Sequence, residues 1–478
     1  MSPFSKAGFL VLIVALALPA SAKTPNILFI LADDMGYGDM GLTGSRTIKT
    51  PNLDALARSG VFCTQGYVPS AVCSPSRAGI LTGRDPRRFG YEGNLNDAAE
   101  NYATRPELLG LPPGELTLGD HLRAAGYRTG LIGKWHLGAG GAFHPNQRGF
   151  DHFCGMLNGS HSYFPTAEKN HLERNGKPLT EFSSPYLTSF FTDEALDWTG
   201  SGDSDSPWFL FLSYNAPHTP MEATKEDLAL YSDIKSGKRR TYAAMMHSLD
   251  QNIGRLITHL NDTRQLENTL IAFLSDNGGA TTNASWNGRL SGAKGSLREG
   301  GVRVPFFLSW PGTLPQGNTY PQPVSALDLL PTFLAAAGAD PLPQRQPLSH
   351  EDRKNHQRMT ETYGAYDGIN LLPVLAGRET APERLLFWRL QGQAAVLKGD
   401  HKLIALSHRP AQLFRPATDP GEQSDLSASQ AETFRTLFTE LGNWQSTLPT
   451  VPLWDSSPYW WGDSAQIYDT WAPRSEPE

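Results

Sequence analysis

Asn26-Ile27-Leu28-Phe29-Ile30-Leu31-Ala32-Asp33-Asp34 is an unbroken apolar run that ends in two adjacent carboxylates. A strand with one wet face would alternate polar and apolar residues. A run without alternation reads instead as a strand buried on both faces, in the middle of a parallel sheet. In open α/β sheets ligands bind at the carboxyl ends of the strands. Two carboxylates at such an end are costly unless a cation meets them. Gly36 and Gly38 behind them suit a tight turn with close backbone approach. The competing reading is an N-cap plus a surface acid in a strand-to-helix loop. The buried strand ahead of the pair favours a metal.

The pattern recurs along the chain. Tyr127 to Gly133 is a second strand, followed by Lys134-Trp135-His136. Lys134 and His136 are two residues apart, so on extended chain they point the same way, an anion-binding and proton-transfer pair. Trp208 to Tyr214 is a third strand, followed by Asn215-Ala216-Pro217-His218-Thr219-Pro220. There the prolines fix the position of His218. Leu270 to Ser275 is a fourth, followed by Asp276-Asn277-Gly278-Gly279. Asp33, Asp34, Asp276 and Asn277 together make an oxygen set for a hard cation, calcium or magnesium, and not the His-rich set of a dizinc site. Each motif also has a bland reading, a solvated loop residue or a common turn.

Helices are expected between these strands: from Pro51 with Asn52 as cap, Leu116 to Ala125 capped by Thr117, Ser189 to Thr199, Tyr242 to Leu260, and Ser325 to Ala337. Val304 to Trp310 reads as a further strand. Alternating strands and helices predict an α/β fold with a mostly parallel central sheet flanked by helices. From about Pro382 the pattern changes. Leu385 to Arg389, Ala394 to Lys398 and His401 to Leu406 are short alternating strands, and Ser429 to Trp444 is a helix opened by a Ser429–Glu432 capping box. A small C-terminal α+β domain with an antiparallel sheet follows. The expected division is 1–22 signal peptide, 23–380 catalytic domain, and 381–478 antiparallel-sheet subdomain with an aromatic tail.

Val72-Cys73-Ser74-Pro75-Ser76-Arg77 reads as a turn feeding a helix, with Ser74 as cap and Arg77 one turn beyond Cys73. A cysteine at a helix N-terminus has a depressed pKa and is reactive; equally, most free cysteines are buried and structural.

The 478 residues carry a net charge of −7 with no basic stripe, which argues against nucleic acid as a partner. Lys6, the apolar Phe9 to Leu18 and Ala20-Ser21-Ala22 form a secretory signal, so Lys23 begins the mature chain, and no later run is long enough to span a membrane. Cys63, Cys73 and Cys154 are the three cysteines; if Cys73 is consumed, the other two are either a disulfide or separate buried thiols. Between Gly149 and Pro185, His161, Tyr163, Lys169, His171 and Arg174 belong either to a substrate-selecting insertion or to a peripheral hairpin. Asn283 to Arg303 is glycine-rich and basic, with Lys294 at its centre and Trp286, Asn287 and Arg289 as sugar contacts. Asn158, Asn261 and Asn283 begin glycosylation sequons. The tail aromatics Trp454, Tyr459, Trp460, Trp461, Tyr468 and Trp471 are read as tethers ahead of sugar platforms.

Cys73-x-Pro75-Ser76-Arg77, running on to Thr82-Gly83, resembles the signature of the type I, formylglycine-dependent sulfatases, and Gly126 to His136 resembles the family's second signature. Asp33-Asp34, Ala216-Pro217-His218, Asp276-Asn277, Lys294 and the segment Gln412 to Glu422 also match family patterns in order. The resemblance implies an alkaline-phosphatase-like large domain, and Cys73 converted to formylglycine by a formylglycine-generating enzyme. It implies one divalent ion, Ca2+ with Mg2+ as the alternative, on Asp33, Asp34, residue 73, Asp276 and Asn277. Arg77, Lys134 and Lys294 would hold the hydrated aldehyde and the sulfate, with Asp276 as base, His218 as acid and His136 taking the final proton. The substrate class implied is a sulfated carbohydrate, an algal galactan or a glycosaminoglycan, met in the periplasm or outside the cell. The rival readings are a phosphatase or phosphonate monoester hydrolase of the same superfamily and an inactive sulfated-glycan-binding protein. Neither the sugar, the sulfate position nor the oligomeric state is legible in the sequence.

Overall fold

The computed structural model describes residues 23–95, 109–166, 170–202, 206–342, 366–407, 409–450, 452–454, 467–468 and 475–477. The signal segment 1–22, Lys169, and Tyr459, Trp460, Trp461 and Trp471 lie outside the described residues.

The long apolar runs become the middle of a ten-stranded sheet. Five neighbours run parallel, in spatial order Thr269–Ser275, Asn26–Ala32, Trp208–Ser213, Arg128–Lys134 and His152–Met156. Beyond Thr269–Ser275 lie the antiparallel Phe306–Ser309, then Val61–Cys63 and Asn318–Tyr320. Beyond His152–Met156 lies the hairpin Leu172–Arg174 and Lys177–Pro178.

Period-two side-chain direction sends Ile27, Phe29 and Leu31 to one face and Leu28, Ile30 and Ala32 to the other. The first face packs on helices Cys73–Thr82, Leu118–Ala124 and Leu329–Ala337, and the second on Pro51–Arg58, Leu187–Gly200 and Gly237–Asp262. Phe29 stacks on Phe211 at 4.8 Å and meets the edge of Phe333 at 6.1 Å. At roughly 1.5–3 kcal/mol per buried large side chain, this double burial is what holds the sheet. It also brings the carboxyl ends of four adjacent strands, at residues 275, 32, 213 and 134, to one edge.

The C-terminal strands Leu385–Leu390, Gln393–Lys398, His401–Leu406 and Arg409–Phe414 form an antiparallel sheet. One face meets helix Ala431–Ser446 through Leu437, Leu441 and Trp444. The other packs Trp388, Leu397 and Ile404 against Tyr67 of strand Gly66–Tyr67 and against Ala71, Val72 and Leu297.

Several local expectations are corrected. Asn52 is not a cap: the helix opens at Pro51 after Thr50, and the Asn52 amide donates to Asp250 at 2.8 Å. Ser429 caps nothing, because the last helix starts at Ala431 and the Ser429 hydroxyl donates to the Leu426 carbonyl at 3.3 Å. The run Val304 to Trp310 is broken at Pro305, which has no N–H for a ladder; Arg303–Val304 pairs with Gly66–Tyr67 in a separate small sheet. The fourth C-terminal strand was hidden by Pro410, a residue tolerated because this strand lies at the edge.

The disulfide alternative for Cys63 and Cys154 is excluded. All three cysteines are free and buried. Cys63 and Cys154 sit in clusters on opposite faces of the sheet. Their strands are six places apart in the order, ~29 Å at about 4.8 Å per strand. Alkylation in denaturant without reductant is expected to label both Cys63 and Cys154 fully; a pair protected until reductant is added would contradict this arrangement.

Candidate active site

The four strand ends, the N-terminus of helix Cys73–Thr82 and the turn carrying Lys294 converge on one buried point. Lys134 Nζ donates to Asp33 Oδ2 at 2.6 Å. Arg77 Nε donates to Asp276 Oδ2 at 2.9 Å, and its NH1 to the Lys134 carbonyl at 3.0 Å and to Ser213 Oγ at 2.7 Å. Lys294 Nζ lies 2.7 Å from Asp34 Oδ1 and 3.0 Å from Cys73 Sγ. Cys73 Sγ is 3.8 Å from an oxygen of each of Asp33 and Asp34. His218 Nε2 stands 3.6 Å from Asp34 Oδ2. Asp34 itself holds a left-handed backbone, φ 63°, and donates its N–H to Asp276 Oδ1 at 3.2 Å. A non-glycine residue in that region is strained and persists where its surroundings over-determine it.

The charges are set by burial and by each other. Burial alone would lift the Asp33 carboxyl, but Lys134, His218, Arg77 and Lys294 outweigh it and hold it well below the usual carboxylate range. Asp34 is lowered in the same way, against its burial, by Lys294 and His218. Asp276 is pushed up to about 6 by burial and the neighbouring Asp33 charge, despite Arg77 and Lys134. Burial would lower Lys294, yet Asp34 and the other acids hold its ammonium well above its ordinary value. His136 is driven well down by burial and by Lys134 and Arg77, and both ring nitrogens are buried without a hydrogen-bond partner. Burial lowers His218 against the pull of Asp33 and Asp34.

Cys73 departs from expectation. The reading of a depressed, reactive thiol fails, because burial pushes it up to about 12 against the pull of Lys134 and Lys294. Ser74 is not a helix cap either. Val72 takes that position, while the Ser74 hydroxyl bonds the Tyr91 hydroxyl at 2.7 Å and donates to the His136 carbonyl at 2.6 Å. His136 leaves extended chain with φ 61°, so Lys134 and His136 are not simple same-face neighbours on a strand.

The residues fit a cation. Asp33, Asp34, Cys73 and His218 offer ligand atoms all within 4.8 Å of one another. Asn277 Nδ2 donates to Asp34 Oδ1 at 2.7 Å, and its Oδ1 is buried with no partner, an oxygen free to serve a positive ion. The tightest group thus includes His218, with Asp276 and Asn277 bonded directly to Asp34.

Other expected contacts turn out to be scaffold. Asn287 accepts from the Gly279 N–H at 3.0 Å and donates to the Gly292 carbonyl at 3.2 Å, so it holds loops together and has no amide group left for a sugar. Arg289 is exposed and Trp286 half-buried. Arg174 pairs with Glu194 on the edge hairpin. Trp454 is buried against Tyr91 at 4.6 Å, as a tether would be. Two residues that the sequence reading placed elsewhere, Tyr163 in a candidate insertion or peripheral hairpin and Asn283 in a sequon, support the site. Tyr163 donates its hydroxyl to the carbonyls of Asn215 at 2.6 Å and His218 at 2.9 Å, propping the His218 loop. Asn283, read as a sequon, is fully buried and donates to the carbonyls of Asp34 at 3.2 Å and Pro217 at 3.1 Å. Neither had a local sequence signal, since both act through backbone groups distant in the chain.

This geometry agrees with comparison to known proteins. The family described as Sulfatase matches residues 25–339. Human arylsulfatase A is 34% identical over 471 residues, covering 87% of this chain and 86% of that protein. Human N-acetylgalactosamine-6-sulfatase is 33% identical over 397 residues, 80% of this chain and 71% of that protein. The solved structure of Ps i-CgsB in complex with k-i-k-neocarrahexaose superposes with a TM-score of 0.80 at 34% identity, covering 93% of this chain and 98% of that one. The chain belongs to the sulfatase family. It is a sulfuric ester hydrolase on the alkaline-phosphatase-like fold.

Arg77 is the strut of the site. Arg77→Met would leave Asp33 and Asp276 buried with less compensation, and in metal-free protein is expected to cost about 3–5 kcal/mol, read as a lower denaturant midpoint. An unchanged midpoint would refute the role of this buried pairing.

Proposed function

We propose that this enzyme removes sulfate from a sulfated carbohydrate, with residue 73 in its formylglycine form beside a bound divalent cation. The observation that carries the reading is the setting of Cys73. Its sulfur touches Lys294 and both aspartates, yet burial keeps the thiol protonated. A buried neutral thiol is a poor nucleophile. A hydrated aldehyde at the same position presents hydroxyls to the same acids and cations. The carbohydrate class is supported by the relative named for N-acetylgalactosamine 6-sulfate and by the neighbour bound to a neocarrahexaose.

Asp33, Asp34, Asp276, Asn277 and residue 73 would hold the cation, calcium with magnesium as the alternative. When bound, the ion offsets the charge of the sulfate oxygens. Arg77, Lys134 and Lys294 balance the three aspartates and turn their N–H groups toward the same point. Asp276, lifted toward neutrality yet able to ionise, takes the proton of the attacking hydroxyl. His218, 3.6 Å from Asp34, would deliver a proton to the leaving oxygen as its bond to sulfur breaks; an arriving anion raises its affinity for that proton. His136, neutral and with free ring nitrogens, would receive the proton of the second hydroxyl as the carbon–oxygen bond to the sulfate breaks, so that sulfate leaves and the aldehyde re-forms.

The same reading takes 1–22 as an export signal, 23–380 as the catalytic unit and 381–478 as the second unit. It places the protein in the periplasm or outside the cell and implies a modifying enzyme acting on Cys73. No helix among the described residues is long and apolar enough to cross a membrane.

Cys73→Ala is expected to abolish release of sulfate from an aryl sulfate while leaving the melting temperature near that of the parent; robust turnover by this variant would end the proposal. Aryl phosphate assayed in parallel discriminates the phosphatase reading, which requires the faster rate on phosphate. Exhaustive chelation is expected to lower both activity and melting temperature, with recovery on adding back Ca2+ or Mg2+; activity indifferent to chelation, with no metal found by elemental analysis, would remove the cation from the scheme.

A further inference from the structure

The turn that carries Lys294 has no regular structure of its own. Gly292 and Gly295 both take left-handed backbone, φ 77° and 87°, and the lysine stands between them. Such a turn places an ammonium accurately only if something outside it fixes the backbone. Two ties come from the large sheet's loops: Lys294 N–H donates to the Gly279 carbonyl at 3.1 Å, and Gly295 N–H to the Ala71 carbonyl at 2.9 Å.

Asn287 adds a tie to the Gly292 carbonyl at 3.2 Å, and further grip comes from the C-terminal sheet and the loop after it. Gln393 is 1% exposed, and its amide donates to the Gly295 carbonyl at 2.9 Å and accepts from the Leu297 N–H at 3.2 Å. The Tyr468 hydroxyl completes that contact, donating to Gln393 Oε1 at 2.8 Å. On the other flank, Glu422 is buried with φ 48°. It accepts from the Ser291 hydroxyl and, at 3.0 Å, from the Glu299 N–H. Lys402, fully buried, lies 2.8 Å from Glu299 and 3.3 Å from Glu422. Apolar packing alone would glue the two sheets together. Here buried polar groups instead hold the Ser291 side chain ahead of Lys294 and the backbone at Gly295, Leu297 and Glu299 beyond it.

We infer that Gln393 and Glu422 are positioning residues for Lys294, so the C-terminal sheet completes the active site without touching the reacting atoms. The inference rests on the reading of Lys294 as an active-site group. Lys402 serves both buried carboxylates, Glu299 at 2.8 Å and Glu422 at 3.3 Å, whose burial would be costly without a cation.

The test is a double-mutant cycle on the full-length, metal-loaded enzyme, with kcat on an aryl sulfate normalised to the formylglycine fraction found by peptide mass spectrometry. Gln393→Met keeps the volume and removes the three hydrogen bonds to Gly295, Leu297 and Tyr468; Glu422→Gln keeps the shape and removes the charge. Each is expected to lower kcat by about 10- to 100-fold, the scale of a misplaced catalytic group, with little change in KM. In a Lys294→Ala background either substitution is expected to change kcat by less than about twofold, because the group it positions is gone. Full kcat in the folded Gln393→Met variant, or losses that multiply with that of Lys294→Ala, would overturn the inference and leave these residues as scaffold. Unchanged kcat in Lys294→Ala itself would instead overturn the role of Lys294, and the inference with it. If Glu422→Gln fails to fold, Gln393→Met decides alone, with its melting temperature recorded alongside.

Discussion

Three carboxylates cannot share one buried point unless cations are built in with them. Asp33, Asp34 and Asp276 converge because Lys134, Arg77 and Lys294 arrive from three other segments. Each arrives by a different route. Lys134 ends a neighbouring strand, Arg77 stands one turn into a helix, and Lys294 sits in a glycine turn. Removing any one leaves a charge in low dielectric, which costs more than a single contact suggests. The fold around the site follows from keeping this set together. Four parallel strands must end side by side, and the Cys73 helix must point its N-terminus at them.

The second constraint is shielding. Ala71 and Val72, just ahead of Cys73, and Leu297, just beyond Lys294, belong to one buried apolar cluster. These residues are covered by Trp388, Leu397 and Ile404 of the C-terminal sheet. The sheet thus keeps the chain on either side of Cys73 and Lys294 dry, and the charges themselves are buried, which strengthens the interactions among them. The four-stranded sheet is part of the site's dielectric environment, and the glutamine, lysine and glutamate at its contact with the Lys294 turn give that contact direction as well as area.

Much of this was legible in the chain. Uninterrupted apolar runs at Asn26, Trp208 and Thr269 marked strands buried on both faces, and the chemistry at their ends stood out because burial leaves few reasons for an acid or amide there. What stayed hidden was non-local. Tyr163 and Asn283 bind backbone carbonyls, which carry no residue signature. Between the two readings of the Cys73 thiol, reactive at a helix terminus or buried, the sequence could not choose; burial outweighs the helix terminus and the nearby lysines. Asn52 and Ser429 are good cap residues placed one or two positions from the real helix starts, where Pro51 and local packing decide the first turn.

By itself, the sequence determined the strand cores, the order of the reactive segments and the set of side chains available for chemistry. Those properties are local: periodicity, residue type and the punctuation of glycine and proline. Tertiary structure alone decided which acid pairs with which cation, which groups burial and neighbours push up or down, and that the C-terminal sheet reaches back to the Lys294 turn. Charge balance in a buried site depends on distances of a few ångströms between segments more than two hundred residues apart, as between Asp34 and Asp276 or Cys73 and Lys294. No local pattern encodes such a distance; it exists only once the sheet has assembled.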